Sequence, residues 1–517
     1  MYYDGNGFYH LTTKSYMHKK ELEALAGTNS NKIIFRHGHI AICGYHMGDN
    51  RAFEKSLSVW DDSKWRYNRV AGYYVERLKE FRINRGYDIN QLYKYFPFYE
   101  FCVDNDAYPD EPCDIKLYTE PRDDFQKAAL TFMMAEGEYS TNKKFSQQLI
   151  EARTGRGKTF LSVASACYYQ SRVVIFVPFE KLLNQWKESF LNFTSLKKDE
   201  ILIVQGSKVC KEIRREEHKN IKVFLFMVDT LTSYNKSHGD LKTIEMLRAT
   251  KARIKIIDEV HRNIKAVSMI EALSNFRLNF YLSASPGRTD HAENRIFNEL
   301  FYMVPRFGAN FEHKSEKYLN ILIKNYRFTP TKDQLKKMVD RRKKWLRVKE
   351  YEHILINAPE EQRRDFEKSM LAMLQWAKKN KKPENRILIL MSTIDGTEYI
   401  QKLAEQVFPG ETSRYYGSMP SKSEKKKALE QMVICATDSS LGTGSDIPKL
   451  QFAFVCTTYT AWTQAIQMSG RLRRLPGSQC VYCELVNVGF DKTLKQYQKR
   501  KDVLMKQSKT GKLIIID

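Results

Sequence analysis

From Pro121 onward, short apolar runs bounded by turn residues alternate with stretches of helical periodicity. Gln148-Leu-Ile-Glu, Val173-Val-Ile-Phe-Val-Pro, Val223-Phe-Leu-Phe-Met-Val, Ile254-Lys-Ile-Ile-Asp and Phe280-Tyr-Leu-Ser form a first series. Strands buried on both faces of a parallel sheet read this way, with crossover helices between them. A second series follows in Ile387-Leu-Ile-Leu-Met, Met432-Val-Ile-Cys-Ala-Thr, Phe452-Ala-Phe-Val-Cys and Val481-Tyr-Cys-Glu-Leu-Val. Between the two, residues 330–385 are densely charged and helical in texture. Their run Lys336-Lys-Met-Val-Asp-Arg-Arg-Lys-Lys fits a solvated helix face. The pattern predicts two α/β units in tandem, over 119–305 and 306–490, the second with a charged helical lead-in. Residues 491–517 read as a C-terminal tail.

The first 118 residues have a different texture, rich in aromatics and mixed charge, and predict a small α+β domain. Lys32-Ile-Ile-Phe-Arg and His39-Ile-Ala-Ile-Cys-Gly predict two short strands around a His-Gly turn. Tyr74-Val-Glu-Arg-Leu-Lys-Glu-Phe-Arg-Ile fits either strand or helix. Asn105–Pro112, with its Asp/Pro cluster, reads as a linker. Trp65-Arg-Tyr-Asn-Arg fits a stacking or clamping surface for nucleic acid, and equally a mixture of core and surface positions.

Composition narrows the class. The chain has 517 residues, 85 Lys+Arg against 61 Asp+Glu, and a formal net charge of +24. An excess of that size favours a polyanionic partner, first of all nucleic acid. The nine cysteines are an odd count without framework spacing, which fits a reducing compartment. Cys480 and Cys483 make a lone CxxC with no second pair to complete a zinc site, and they fall in a segment that reads as a buried strand. No apolar run approaches the ~20 residues that span a bilayer, and the first residues carry no apolar signal core. A soluble protein of the cytoplasm (the host cytoplasm if viral) is expected, with no membrane partner.

The chemistry starts at Glu151-Ala-Arg-Thr-Gly-Arg-Gly-Lys-Thr159. A strand, a glycine loop and a helix in succession direct backbone N–H groups and a helix N-terminus at an anion. Lys158 suits the β and γ phosphates of a nucleotide, and the Thr159 hydroxyl suits Mg²⁺. About 100 residues later, the apolar run at Ile256 ends in Asp258-Glu259-Val-His261. Asp258 is placed to hold Mg²⁺ and Glu259 to orient and deprotonate water. In the second unit, Gln467-Met-Ser-Gly470-Arg471-Leu-Arg-Arg474 puts two arginines three apart on one helix face. They suit γ-phosphate recognition or nucleic-acid phosphate, and the residues alone leave both open.

Taken in order, these segments resemble the motifs of superfamily 2 helicases over residues 120–490. Ala152-Arg-Thr-Gly-Arg-Gly-Lys-Thr resembles motif I, where alanine is usual at the first position. Asp258-Glu-Val-His is a DEVH box of the DExH type, and Ser283-Ala-Ser-Pro resembles motif III. Thr437 with Gly442-Thr-Gly444-Ser-Asp446-Ile-Pro resembles motif V, and Gln467–Arg474 matches the QxxGRxxR of motif VI. Arg122-Asp-Asp-Phe-Gln126 resembles the adenine-reading element, with Phe125 in place of tyrosine. Val177-Pro178-Phe-Glu-Lys-Leu-Leu-Asn-Gln185-Trp resembles motif Ia, and Val228-Asp-Thr230-Leu a later nucleic-acid-contacting motif. Ile389-Leu-Met-Ser-Thr393 and Tyr416-Gly417-Ser resemble motif IV and the element after it. Arg153 stands where proline is common and Ser285 where threonine is usual, and neither departure removes a catalytic group.

The resemblance implies two RecA-like motor domains that use ATP and Mg²⁺. It assigns Lys158, Asp258, Glu259, Gln467, Arg471 and Arg474 to catalysis. Arg122, Gln126, Thr154, Gly155, Gly157, Lys158, Thr159, Gly444 and Asp446 would bind the nucleotide, with Thr159 and Asp258 on Mg²⁺. Pro178, Gln185, Thr230, Thr393, Gly417 and Thr437 would contact nucleic acid. It further implies that ATP bridges two lobes and that hydrolysis releases the bridge. The compact motor is most similar to phage recombination and repair helicases of the UvsW type and to the XPB-like group. That grouping implies branched or partly single-stranded DNA as substrate, in fork regression, Holliday-junction branch migration and R-loop unwinding. RNA in hybrids, and single-strand-binding or recombination proteins, stay open as further partners. An RNA helicase and a restriction-type translocase with a nuclease are the alternatives. For the second, Pro109-Asp-Glu-Pro-Cys-Asp114-Ile-Lys116 superficially resembles a nuclease site, with its carboxylates unusually close in sequence.

Overall fold

The computed structural model describes residues 2–3, 9–10, 31–61, 65–152, 155–213, 218–284, 291–308, 319–340, 345–440, 447–456, 458, 465, 468–472 and 479–516. The chain divides into two compact units, Met1–His313 and Lys314–Asp517.

In the first unit, the amino-terminal strands are β1 (Lys32–Phe35), β2 (His39–Cys43), β3 (Ser58–Asp61), β4 (Arg66–Arg69), β5 (Tyr73–Val75), β6 (Glu80–Asn84) and β7 (Glu100–Val103). β1 and β2 pair antiparallel around the His-Gly turn, as expected. Five of the strands form a sheet in the order β5-β6-β2-β1-β7, and β3 pairs with β4 as a separate antiparallel hairpin. The ambiguous Tyr74–Ile83 segment is two strands joined by a 3-10 turn, with Lys79 in the left-handed region at φ 49°.

The second sheet of this unit has seven parallel strands: β8 (Gln147–Glu151), β9 (Val173–Val177), β10 (Ile201–Val204), β11 (Val223–Met227), β12 (Ile254–Ile257), β13 (Leu278–Ser283) and β14 (Arg306–Phe307). Their order is β10-β11-β9-β12-β13-β8-β14. All five expected strands are present. Alternate residues of β9 face opposite cores: Val173, Ile175 and Val177 in one, Val174 and Phe176 in the other. That period of two explains why the run is apolar at every position.

The core containing Val174 and Phe176 is continuous with Ile33, Ile42, Phe53, Phe81 and Phe96 of the amino-terminal module. Gly38 sits so close to the parallel sheet's connections that a Cβ there would lie 2.1 Å from the Ser274 carbonyl oxygen. Residues 105–112, expected as a linker, are an extended strap laid along the sheet. The Tyr108 N–H donates to Asn275 O and the Glu111 N–H to Lys251 O. Asp110 pairs with Arg253, and Glu111 with Arg172 and Lys251. The acids that signalled a solvated connection are satisfied by basic residues that precede the central strands β9 and β12.

The second unit repeats the plan with β15 (Leu319–Tyr326), β16 (Arg386–Met391), β17 (Thr412–Tyr415), β18 (Val433–Thr437), β19 (Leu450–Val455), β20 (Cys480–Asn487) and β21 (Ile514–Ile516). All seven are parallel, in the order β17-β18-β16-β19-β20-β15-β21. The charged lead-in is helical over Lys332–Met338, Val348–Ile356 and Glu360–Asn380. Residues past 490 do more than trail. Helix Asp491–Gln507 places Arg500 against Glu484 of β20, both buried, and β21 pairs with β15. Cys480 and Cys483 lie on opposite faces of β20, one in each core. They therefore cannot converge on one metal. Among the described residues no helix is long and apolar enough to cross a membrane.

The architecture is two seven-stranded parallel α/β sheets of RecA-like type preceded by a small α+β module, as the sequence predicts.

Candidate nucleotide site and its neighbours

The glycine loop connects β8 to helix Lys158–Tyr168. Gly155 and Gly157 both have φ of 86°, a region that L side chains rarely enter. At Gly157 space is also closed: a Cβ would lie 2.2 Å from Gln126 Nε2. Ala152 is buried, and its N–H donates to Ser283 O of the neighbouring strand end. The Lys158 ammonium donates back to Ala152 O at 2.8 Å, arched over the loop. Thr159 follows in the first turn of the helix, half-buried. A loop of this conformation opening a helix fits a phosphate, because N–H groups and a helix N-terminus converge there.

The Arg122–Gln126 segment locks onto this loop. Gln126 accepts from the Arg122 N–H at 2.7 Å and donates from Nε2 to Arg156 O at 3.3 Å. The Arg122 guanidinium reaches Gly155 O at 3.4 Å. Phe125, standing where tyrosine was expected, is core, with the Arg156 guanidinium 5.8 Å from its ring centre.

Asp258 and Glu259 follow β12. Asp258 is fixed from three sides: its N–H donates to Phe176 O, its Oδ1 accepts from the Glu259 N–H at 2.9 Å, and its Oδ2 accepts from the Trp186 indole N–H at 3.1 Å. Burial and the neighbouring Glu259 push its carboxyl up to about 6, against the downward pull of Lys158 and the Trp186 hydrogen bond. The loop lysine and the strand-end acid thus share one electrostatic site. At neutral pH Asp258 is mostly ionised and only partly neutralised, which suits a divalent cation. Glu259 is buried at a left-handed φ of 50°, and its Oε2 accepts no hydrogen bond among the described residues. His261 Nδ1 lies 3.5 Å from this oxygen, and that nitrogen is hydrogen-bonded to Ser283 Oγ at 2.8 Å. A buried carboxylate oxygen left open in a crevice is what a water-activating base needs.

Of the expected nucleotide residues, the structure therefore gathers Arg122, Gln126, Gly155, Gly157, Lys158, Thr159, Asp258 and Glu259 around one loop. Thr154, Gly444, Asp446, Gln467 and Arg474 lie outside the described residues. Arg471 is buried, just after the short helical turn at 468–470.

The expected nucleic-acid contacts divide. Pro178 follows β9, half-buried, and lines a small crevice with Asp258, Glu259, Arg262 and Asn263. Gln185 is exposed on helix Glu180–Phe193. Thr230 is turned inward, 6% exposed, with its hydroxyl accepting from the Gly206 N–H. In the second unit, Thr393 caps helix Ile394–Glu405, and Gly417 has open space around its Cα. Thr437 ends β18 and is buried.

Two supporting residues carried no role in the sequence reading. Trp186 is one; an indole N–H on the buried face of an amphipathic helix needs a polar partner, and that was the available signal. Glu352 is the other. Its carboxylate accepts from the N–H groups of Ser392 and Thr393, both at 2.7 Å, and so shapes motif IV. Burial raises it above the usual carboxylate range, and these bonds oppose the rise. It lies in a stretch dense in charged residues, so no pattern marked it.

Residues 119–288 match the family model described as Type III restriction enzyme, res subunit. The General transcription and DNA repair factor IIH helicase/translocase subunit XPB of Schizosaccharomyces pombe is 24% identical over 163 residues, 32% of this chain and 19% of that protein. Putative helicase 161L of Invertebrate iridescent virus 6 is 25% identical over 374 residues, 69% of this chain and 76% of its own. These matches make the chain similar to superfamily 2 helicases. Among solved structures, the Hef helicase domain of Pyrococcus furiosus aligns over 73% of this chain and 97% of its own, at 17% identity and a TM-score of 0.44. The chain spans about a fifth of the XPB relative and about three quarters of the viral one.

Proposed function

We propose that this chain is an ATP-driven motor that translocates on DNA and remodels branched structures by fork regression, Holliday-junction branch migration and R-loop unwinding. One observation carries the motor: a positive-φ glycine loop opens a helix at Lys158, and the same lysine acts electrostatically on buried Asp258. Thr159 and Asp258 would hold Mg²⁺, which supplies charge neutralisation of the phosphates when bound. Glu259 would take the proton of the attacking water. Lys158 would exchange the Ala152 carbonyl for phosphate oxygens. Arg471 and Arg474 would stabilise charge on the transferred phosphoryl group. The net charge of +24 supports a polyanionic track. Similarity to an XPB subunit named helicase/translocase and to a viral putative helicase supports nucleic acid as that track. Branched DNA rests on the resemblance to repair helicases.

The test is ATP-dependent unwinding of a fork, a Holliday junction, an R-loop and a linear duplex. Preference for the branched substrates is expected, and equal rates on all four overturn the branched-DNA assignment.

The family model's name raises a second reading, the translocase part of a restriction enzyme. The candidate nuclease acids argue against it, because Asp110 and Glu111 are held by Arg253, Arg172 and Lys251. Metal-dependent cleavage of plain duplex would revive it.

A further inference from the structure

Beside the nucleotide site, the first unit holds a larger concavity of about 940 Å³. One wall is the amino-terminal module, through helix Arg51–Ser56 and the β3–β4 hairpin. The other is the motor, through helices Val228–His238 and Ile264–Leu273. The walls are stapled at the base: the Tyr73 hydroxyl donates to Asp240 at 2.7 Å and accepts from the Asn235 amide at 2.8 Å. The groove is therefore preformed, with no closure needed to create it.

Its lining is unbalanced in charge. Arg51, Lys55, Arg69, Lys236 and Lys265 line it, against the acids Glu54 and Asp229. Glu54 is already engaged by the Tyr45 hydroxyl and the Gly48 N–H. Among the described residues none of the five cations is paired with a carboxylate. Arg69 instead meets Met47 Sδ and the Phe81 ring, and burial lowers its basicity against the opposing pull of nearby Glu54. The hairpin adds aromatic surface. Tyr67 lines the groove at 49% exposure under the Lys55 ammonium, with Trp60 edge-on to it and Trp65 nearby at 83% exposure. Unpaired cations along a trough next to exposed rings fit a backbone of phosphates with unstacked bases. Duplex keeps its bases stacked inside and would leave the rings unused.

We propose that this groove holds a single nucleic-acid strand, with phosphates on Lys55, Arg69, Lys236 and Lys265 and bases on Tyr67 and its neighbouring rings. The proposal rests on the reading of the chain as a nucleic-acid motor and adds to it a binding surface supplied in part by the amino-terminal module. Asp229, Asn263 and Ala266 line both the groove and the crevice that contains Asp258 and Glu259. A strand in the groove therefore lies against the elements that carry the catalytic acids.

The experiment measures binding of a labelled thymidine 20-mer to the full chain across a salt series. It compares the unaltered protein with the double variant Lys55→Ala/Lys236→Ala, which removes one cation from each wall, and with Tyr67→Ala. For single strands the logarithmic salt slope is about 0.7 per phosphate contact, so the double variant should lose about 1.4 from its slope. Tyr67→Ala should weaken binding roughly tenfold, with the slope kept. The double variant Lys55→Arg/Lys236→Arg should restore the slope. Affinity and slope equal to the unaltered protein in the alanine variants overturn the groove, as does equal competition by a duplex of the same length. ATP turnover of the unaltered chain is measured alongside. Absence of both turnover and oligonucleotide binding in that chain overturns the motor reading itself, a result distinct from failure of the groove.

Discussion

Replacing Trp186 by Phe keeps an aromatic ring in the core and removes the N–H that Asp258 accepts at 3.1 Å. A hydrogen bond to a charged acceptor contributes about 1.5–3 kcal/mol, and one pKa unit is about 1.36 kcal/mol. Losing it should lift the Asp258 carboxyl by about one to two units from its value of about 6. At pH 7 about nine tenths of Asp258 is ionised in the unaltered protein; in the variant this falls to between about a half and a tenth. Apparent Mg²⁺ affinity, read from Mg²⁺ titrations of ATP turnover, should then drop about two- to tenfold at pH 7. The gap should widen to about five- to fiftyfold at pH 6 and close near pH 9. Unfolding does not mimic this profile. An acid raised in the folded state binds more protons there, so its contribution to stability falls as pH climbs from about 4 to about 6 and is constant above. A Mg²⁺ affinity equal to the unaltered protein at pH 6, or a deficit that persists at pH 9, would refute the positioning role of Trp186.

Gly157→Ala should abolish nucleotide binding measured by a fluorescent ATP analogue, since the new Cβ meets Gln126 Nε2 at 2.2 Å and φ is 86°; binding within twofold of the unaltered protein contradicts it. Glu259→Gln should retain nucleotide binding and lose about a hundredfold or more in turnover, and loss of binding instead would remove it from the base role. Lys255→Met breaks a buried pair with Glu271, so thermal or chemical unfolding should show about 3–5 kcal/mol of lost stability. The double variant Lys255→Met/Glu271→Gln should be less destabilised, and equal losses would show that the stranded charge is not the cause.

The central strands of both sheets were legible because burial on two faces makes them apolar at every position. β15 was not read: Asn320, Lys324 and Asn325 interrupt its run, although it pairs with β20 over eight residues. The strap at 105–112 and the last 27 residues were misread for a shared reason. Their polar residues are satisfied by partners distant in sequence, Arg253 for Asp110 and Glu484 for Arg500. Local pattern carries no trace of such partners. Lys158, Asp258 and Glu259 were legible because phosphate chemistry demands those groups next to glycines and strand ends. Trp186 and Glu352 were not, since residues that orient others answer to geometry alone.

The central claim is that the loop at 155–159 drives a nucleic-acid motor. Its most direct measurement is ATP turnover with and without DNA, for the unaltered chain and for Lys158→Ala. Turnover stimulated by DNA, and lost in Lys158→Ala while most DNA binding remains, is the predicted result. Turnover in Lys158→Ala equal to the unaltered protein would contradict it.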